Sequence, residues 1–147
     1  MKTFSSLLEK LLFTPSRNRK KSALKEYIAN TPDPDRGYAL AAITGDFKVK
    51  NITASFYHEL IKDQVDYELF KMSYDYVGDL AETISLIWPT KKEGKSQNLS
   101  TLIENIKKIK KSEINTEFSK ILNELSNNER WTLIKICTGG LLSLIHI

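Results

Sequence analysis

Ser16-Arg17-Asn18-Arg19-Lys20-Lys21 sets four cations within six positions. Ser16 is a favourable N-cap, so these side chains fall in the first turns of a helix. The helix dipole is positive at that end and disfavours cations there by about 0.3–1 kcal/mol each. Helix stability therefore does not account for the cluster, whereas an anion does. Free backbone N–H groups, the dipole and the cations would converge on one phosphate, with Ser16, Arg17, Lys20 and Lys21 as the contacts. A solvated charged face is the alternative. A second basic run, Lys107, Lys108, Lys110 and Lys111, closes its helix, where cations are favourable without a ligand. Lys91, Lys92 and Lys95 lie in a polar connection that suits a phosphate backbone or plain solvent.

Two further stretches look like copies of each other. Asp35-Arg36-Gly37 runs through an apolar segment to Thr44-Gly45, and Glu129-Arg130-Trp131 runs likewise to Thr138-Gly139. The offset is constant at 94 positions, from Arg36 to Arg130 and from Thr44 to Thr138. It extends backwards, pairing Leu24 with Phe118, Tyr27 with Ile121 and Ile28 with Leu122. Two diverged half-domains about a pseudo-twofold axis would produce this pattern; a chance match of two helix ends is the plainer account. A helix ending in Thr-Gly offers backbone N–H groups without Cβ bulk, and can approach a sugar-phosphate backbone or a minor groove. Thr44, Gly45, Thr138, Gly139 and Gly140 are the residues so placed. Gly is also the commonest helix terminator.

Other chemistry is sparse. Asp75, Asp79 and Glu82 resemble a carboxylate cluster, but helix capping accounts for two of them, and His58 and His146 are isolated. No HxxEH, CxxC or P-loop pattern occurs, and no catalytic or metal-ligating set emerges. Tyr74, Tyr76 and Trp88 are expected in the core and not as base-stacking platforms.

The chain of 147 residues fits one domain. Apolar residues make up 41%, enough for a core, and six Gly with four Pro favour helices over a sandwich. The net charge of +4 is compatible with nucleic acid without specifying it. Cys137 stands alone, which excludes an intrachain disulfide; a buried, inert thiol and a reducing, cytoplasmic setting are expected. No apolar run approaches the roughly 20 residues needed to cross a bilayer.

Hydrophobic spacing predicts an all-α fold. Helices are expected over about Phe4–Phe13, Arg17–Ala29 and Pro34–Thr44, the last opened by Asp33 as cap and Pro34 at the first helical position. Ile52, Phe56, Leu60 and Ile61 fit a fourth helix, and Asp66–Ser73 a short fifth. Tyr74–Gly78 is expected as an aromatic turn. Asp79 and Glu82 open a helix ending at Trp88-Pro89, and Thr90–Gln97 reads as an exposed linker between the halves. Ser100–Ile109, Ser112–Leu125 and a last helix opened by a Ser126/Glu129 capping box complete the set.

Several blocks in order now carry a likeness. Phe13-Thr14-Pro15-Ser16-Arg17-Asn18, Thr31-Pro32-Asp33-Pro34-Asp35-Arg36-Gly37, Leu40-Ala41-Ala42-Ile43-Thr44-Gly45-Asp46, Ser73 through Thr83, and Leu133 through Leu141 together resemble the N-terminal helical domain of bacterial ATP-dependent DNA ligases. The resemblance covers residues 1–141. It implies an all-α DNA-binding domain of two pseudo-symmetric halves that grips the minor groove on both sides of a nick. It places catalysis, ATP and Mg2+ in a following nucleotidyltransferase domain with a Lys-x-Asp-Gly motif, and in an OB-fold domain. This chain holds no Lys-x-Asp-Gly, so it is expected to be inactive and without a cofactor of its own. Its implied partners are nicked duplex DNA and those two domains, not a membrane, in DNA repair, recombination or replication. The family continues after Thr-Gly-Gly-Leu with an arginine, whereas Leu142-Ser143-Leu144-Ile145-His146-Ile147 follows here. Residues 142–147 are therefore expected to be a non-native or truncated, exposed apolar tail. A helical protein-interaction module without nucleic-acid binding is the rival expectation.

Overall fold

The computed structural model describes residues 1–47, 49–89, 94–139, 141 and 145. The described residues form nine α-helices and no strands. These are α1 (Lys2–Phe13), α2 (Arg17–Asn30), α3 (Asp35–Thr44), α4 (Ala54–Lys62), α5 (Tyr67–Val77), α6 (Leu80–Ile87), α7 (Leu99–Lys108), α8 (Ile114–Glu124) and α9 (Asn127–Thr138). A 3-10 turn, Lys111–Glu113, leads into α8.

Local chemistry sets most boundaries. Ser16 accepts the Arg19 amide at 3.4 Å and starts α2, while Thr53 does the same for Phe56 in α4. The Asp79 carboxylate accepts the Glu82 amide at 2.8 Å. Ser126 and Glu129 form the reciprocal capping box that opens α9. Two expectations fail. Pro34 precedes α3 instead of starting it, and Asp33 caps nothing because its carboxylate pairs with Arg36 at 2.8 Å. The stretch Tyr74–Val77 is the last turn of α5 and not a loop, since Gly78, at φ 81°, is where the chain leaves the helix.

The halves are α1–α3 and α7–α9, with α4–α6 inserted between them. Shifted by the repeat offset, α2 falls on the segment from Lys111 to Glu124, which is the 3-10 turn plus α8. Packing is reciprocal: α1 lies on α9, and α3 lies on α7. Phe4, Leu8 and Leu11 of α1 and Leu102, Ile103 and Ile106 of α7 all enter the core, with Leu133, Ile134 and Ile136 of α9. Among the described residues the inserted helices pack chiefly on the second half. Phe56 and Tyr57 of α4 meet Phe118 of α8 edge-on, at ring distances of 5.5 and 5.7 Å. The Trp88 indole N–H after α6 donates to Asn123 at 2.9 Å, and α6 packs along α9. Trp88 is buried as expected and Tyr74 half-buried, but Tyr76 is 93% exposed, a correction to its expected place in the core.

Leu141 and Ile145 are buried at 2% and 1%. Of residues 142–147 only Ile145 is described, and its side chain packs into the core. No helix among the described residues is long and apolar enough to cross a membrane.

Candidate nucleic-acid interface

The first turn of α2 carries no acidic side chain. Arg17, Arg19 and Lys21 are exposed, and none takes part in an ion pair among the described residues. Ser16 is half-buried at the cap. Lys20 is different: it is 8% exposed and its ammonium donates to the Ile145 carbonyl at 2.6 Å. Lys20 is therefore withdrawn from the expected phosphate set, because its place on the helix faces the interior beside Leu24 and Tyr27. That was legible in the spacing, since residues 20, 24 and 27 share one helical face. Arg19, absent from the expected set, takes the exposed place instead. The Lys20 bond also has a topological result. The chain that leaves the second Thr-Gly turn returns to the basic start of α2 by residue 145.

The two turns agree in detail. The Thr44 hydroxyl lies 3.0 Å from the Leu40 carbonyl, and the Thr138 hydroxyl 2.8 Å from that of Ile134, the equivalent residue. The Gly45 amide bonds back to Ala41, and the Gly139 amide to Lys135. Both glycines have φ 82°, and Thr44, Gly45, Thr138 and Gly139 are all at least partly exposed. Chain neighbours aside, neither glycine has a heavy atom of the described residues within 4 Å of where a Cβ would stand. The exits differ. Gly45 continues at ψ 11°, in the left-handed helical region, and Gly139 at ψ −174°, a combination only glycine adopts readily. Thr44 also reaches the Asp46 carboxylate at 2.8 Å, so an acidic group stands beside the first turn. Gly140 lies outside the described residues, as do Lys91 and Lys92.

The paired arginines are helix staples, not ligand contacts. Arg36 donates to Asp33 and, at 3.5 Å, to the Ile28 carbonyl in the last turn of α2. Arg130 donates at the same 3.5 Å to Leu122, the equivalent of Ile28. It donates further to Leu125 at 2.7 Å, to Ser85 at 3.2 and 3.3 Å, and to Asn127. A guanidinium there neutralises the partial negative charge at the C-terminal ends of α6 and α8. The acids before them diverge in the same way. Asp35 reaches across to cap α7, accepting the Ser100 hydroxyl at 2.5 Å and its amide at 3.1 Å, whereas Glu129 stays within its own capping box.

The remaining candidates have structural places. Asp79 accepts Lys135 at 2.6 Å as well as capping α6, while Asp75 and Glu82 are exposed. Among the described residues no group of three His, Cys, Asp or Glu side chains is arranged to hold a metal ion. His58 packs beside the rings of Phe70 and Tyr74 at 5.3 and 5.8 Å, in a triangle of three rings. Lys107 lies over the Phe47 ring at 4.6 Å, so part of the second basic run is engaged at the α3–α7 junction. Burial pushes the Cys137 thiol up to about 12, with the Tyr57 hydroxyl as its polar neighbour. Burial raises Tyr57 well above the ordinary phenol too, and among the described residues its hydroxyl makes no hydrogen bond of ordinary geometry.

Comparison of the chain with protein-family models, curated proteins and solved structures gives no match in any of the three.

Proposed function

We propose that this chain is the non-catalytic DNA-binding domain of an ATP-dependent DNA ligase, gripping nicked duplex DNA through phosphate and minor-groove contacts. The observation that carries this reading is the pair of accessible Thr-Gly turns, one per half and alike in hydrogen bonding and in φ. The exposed cations at the start of α2 support it, and so does the blockwise resemblance of the sequence. ATP, Mg2+ and nick sealing belong in this reading to the nucleotidyltransferase and OB-fold domains of a longer parent in the bacterial cytoplasm, at the nucleoid. Contacts to phosphate and groove shape make the binding independent of sequence.

Titration of the chain with a nicked duplex at rising salt tests the reading. Binding should be measurable at low salt and fall steeply as salt rises. Replacing Arg17, Arg19 and Lys21 by Ala should flatten the salt slope by about 0.9 for each phosphate that is no longer neutralised, with helicity retained. Absence of binding at low salt would leave the rival reading, a helical protein-interaction module. Incubation with labelled ATP should leave no AMP on the chain; a labelled band would make it a nucleotidyltransferase in its own right.

A further inference from the structure

A band of apolar side chains crosses α1, α5 and α6 and reaches the start of α9. One part, a groove of about 370 Å3, is lined by Leu12, Phe13, Leu86 and Trp131, with Glu9 and Glu82. The other, of about 360 Å3, is lined by Leu69, Met72 and Tyr76 and shares Leu86 with the first. Seven large apolar side chains stand exposed among the described residues, and all but Leu40 belong to this band. Scattered exposed apolar residues are ordinary, but six in one continuous band mark a surface that another molecule covers.

Charge selects the occupant. The chain carries a net +4, yet among the described residues the only charged ones lining either part of the band are acidic, Glu9 and Glu82. A second copy presenting the same face would supply no cation to pair with these carboxylates. Duplex DNA and anionic lipid would be repelled by them. A helix with apolar residues at i, i+3, i+4 and i+7, flanked by lysine or arginine, satisfies both the apolar floor and the acidic rim. We propose that this band is a docking groove for a cationic amphipathic helix of a partner protein, with Leu86 at its centre. The site is separate from the Thr-Gly turns and the start of α2, and does not depend on the DNA reading.

The probe is a fluorescein-labelled Leu/Lys helix of roughly 18 residues, five turns, with its leucines on one face. It is titrated into the whole chain beside a scrambled peptide of the same composition and a Leu/Glu helix with the same leucine spacing. Fluorescence anisotropy should show saturable binding of the Leu/Lys helix, at least about tenfold tighter than either control. Leu86→Ser with Met72→Ser should weaken it about tenfold, and Glu9→Gln with Glu82→Gln should flatten its salt dependence. All four positions are at the surface, and far-UV circular dichroism should be unchanged. Equal binding of the scrambled peptide, or indifference to Leu86→Ser with Met72→Ser, would overturn the proposal. A dimer of the chain alone that those two substitutions dissolve would overturn it in favour of a second copy.

Discussion

Arg36 and Arg130 occupy the same position in two copies of one helix pair, and each closes the helix before it. One has a side chain 39% exposed beside Asp33, and the other is 1% exposed. The backbone carbonyl at the equivalent site is bonded in both, at the same 3.5 Å. The difference is α6, which lies along α9 and supplies the Ser85 carbonyl. Among the described residues no inserted helix packs along α3 as α6 does along α9, and Leu40 is 39% exposed where its counterpart Ile134 is fully buried. A repeat can thus preserve its bonding pattern while the surroundings change one copy from a surface staple into a core element.

The comparison breaks most sharply at the arginines. Arg130→Ala should cost about 3–5 kcal/mol, because it takes the guanidinium away from the Ser85 and Leu125 carbonyls in the interior. Arg36→Ala, at a solvent-screened pair, should cost less than about 1 kcal/mol. Equal losses in urea denaturation would show that α6 does not set the difference.

The glycines give the next effect. Gly139→Ala should cost about 2–3 kcal/mol, because φ 82° with ψ −174° is closed to alanine. Gly45→Ala, in the left-handed helical region, should cost about 1–2 kcal/mol. Thermal melts of the two variants rank them, and the reverse order would contradict the different exits.

Alkaline pH sharpens the contrast between Cys137 and its counterpart Ile43, which does not titrate. The Cys137 thiol loses its proton near 9.0 when unfolded and near 12 when folded. The unfolded chain therefore ionises first, so this contribution to stability is full below pH 9 and is lost as pH rises from 9 toward 12. The slope is about 1.4 kcal/mol per pH unit, and the raised Tyr57 adds to it above pH 10. Denaturation curves at pH 8 and 10 for the parent and Cys137→Ala measure it; the variant should lose less between them. At neutral pH the native thiol should react slowly with an alkylating reagent and at its ordinary rate in denaturant.

The smallest effect concerns the turn threonines. Thr44→Val and Thr138→Val each remove a hydroxyl bond to a helix carbonyl and should cost about 0.5–1.5 kcal/mol. Thr44→Val should be the costlier by less than about 0.5 kcal/mol in urea midpoints, because its hydroxyl also reaches the exposed Asp46 carboxylate.

Features decided within a few residues were legible in the sequence. The caps at Ser16, Asp79 and Ser126 and the left-handed glycine at Gly45 follow from side-chain chemistry at fixed spacing. The repeat was legible too, because its bonds are local to each copy. What depends on distant packing was not. Nothing near Arg130 announces its burial, which α6 imposes from 45 positions away. Tyr76 carries the composition of a core residue but falls on the outer side of α5. Lys20 lies between: the basic run suggests solvent, while the helical period already points it inward.

The buried guanidinium also bears on how the molecule opens. Arg130 holds carbonyls at the ends of α6 and α8 from within α9, so none of the three can separate without breaking the same bonds. Their amides should exchange with deuterium through one shared opening, at close to the free energy of global unfolding. Among the described residues the half-buried Arg36 is the side-chain staple of α3 to α2, and the amides of that pair should exchange sooner and independently.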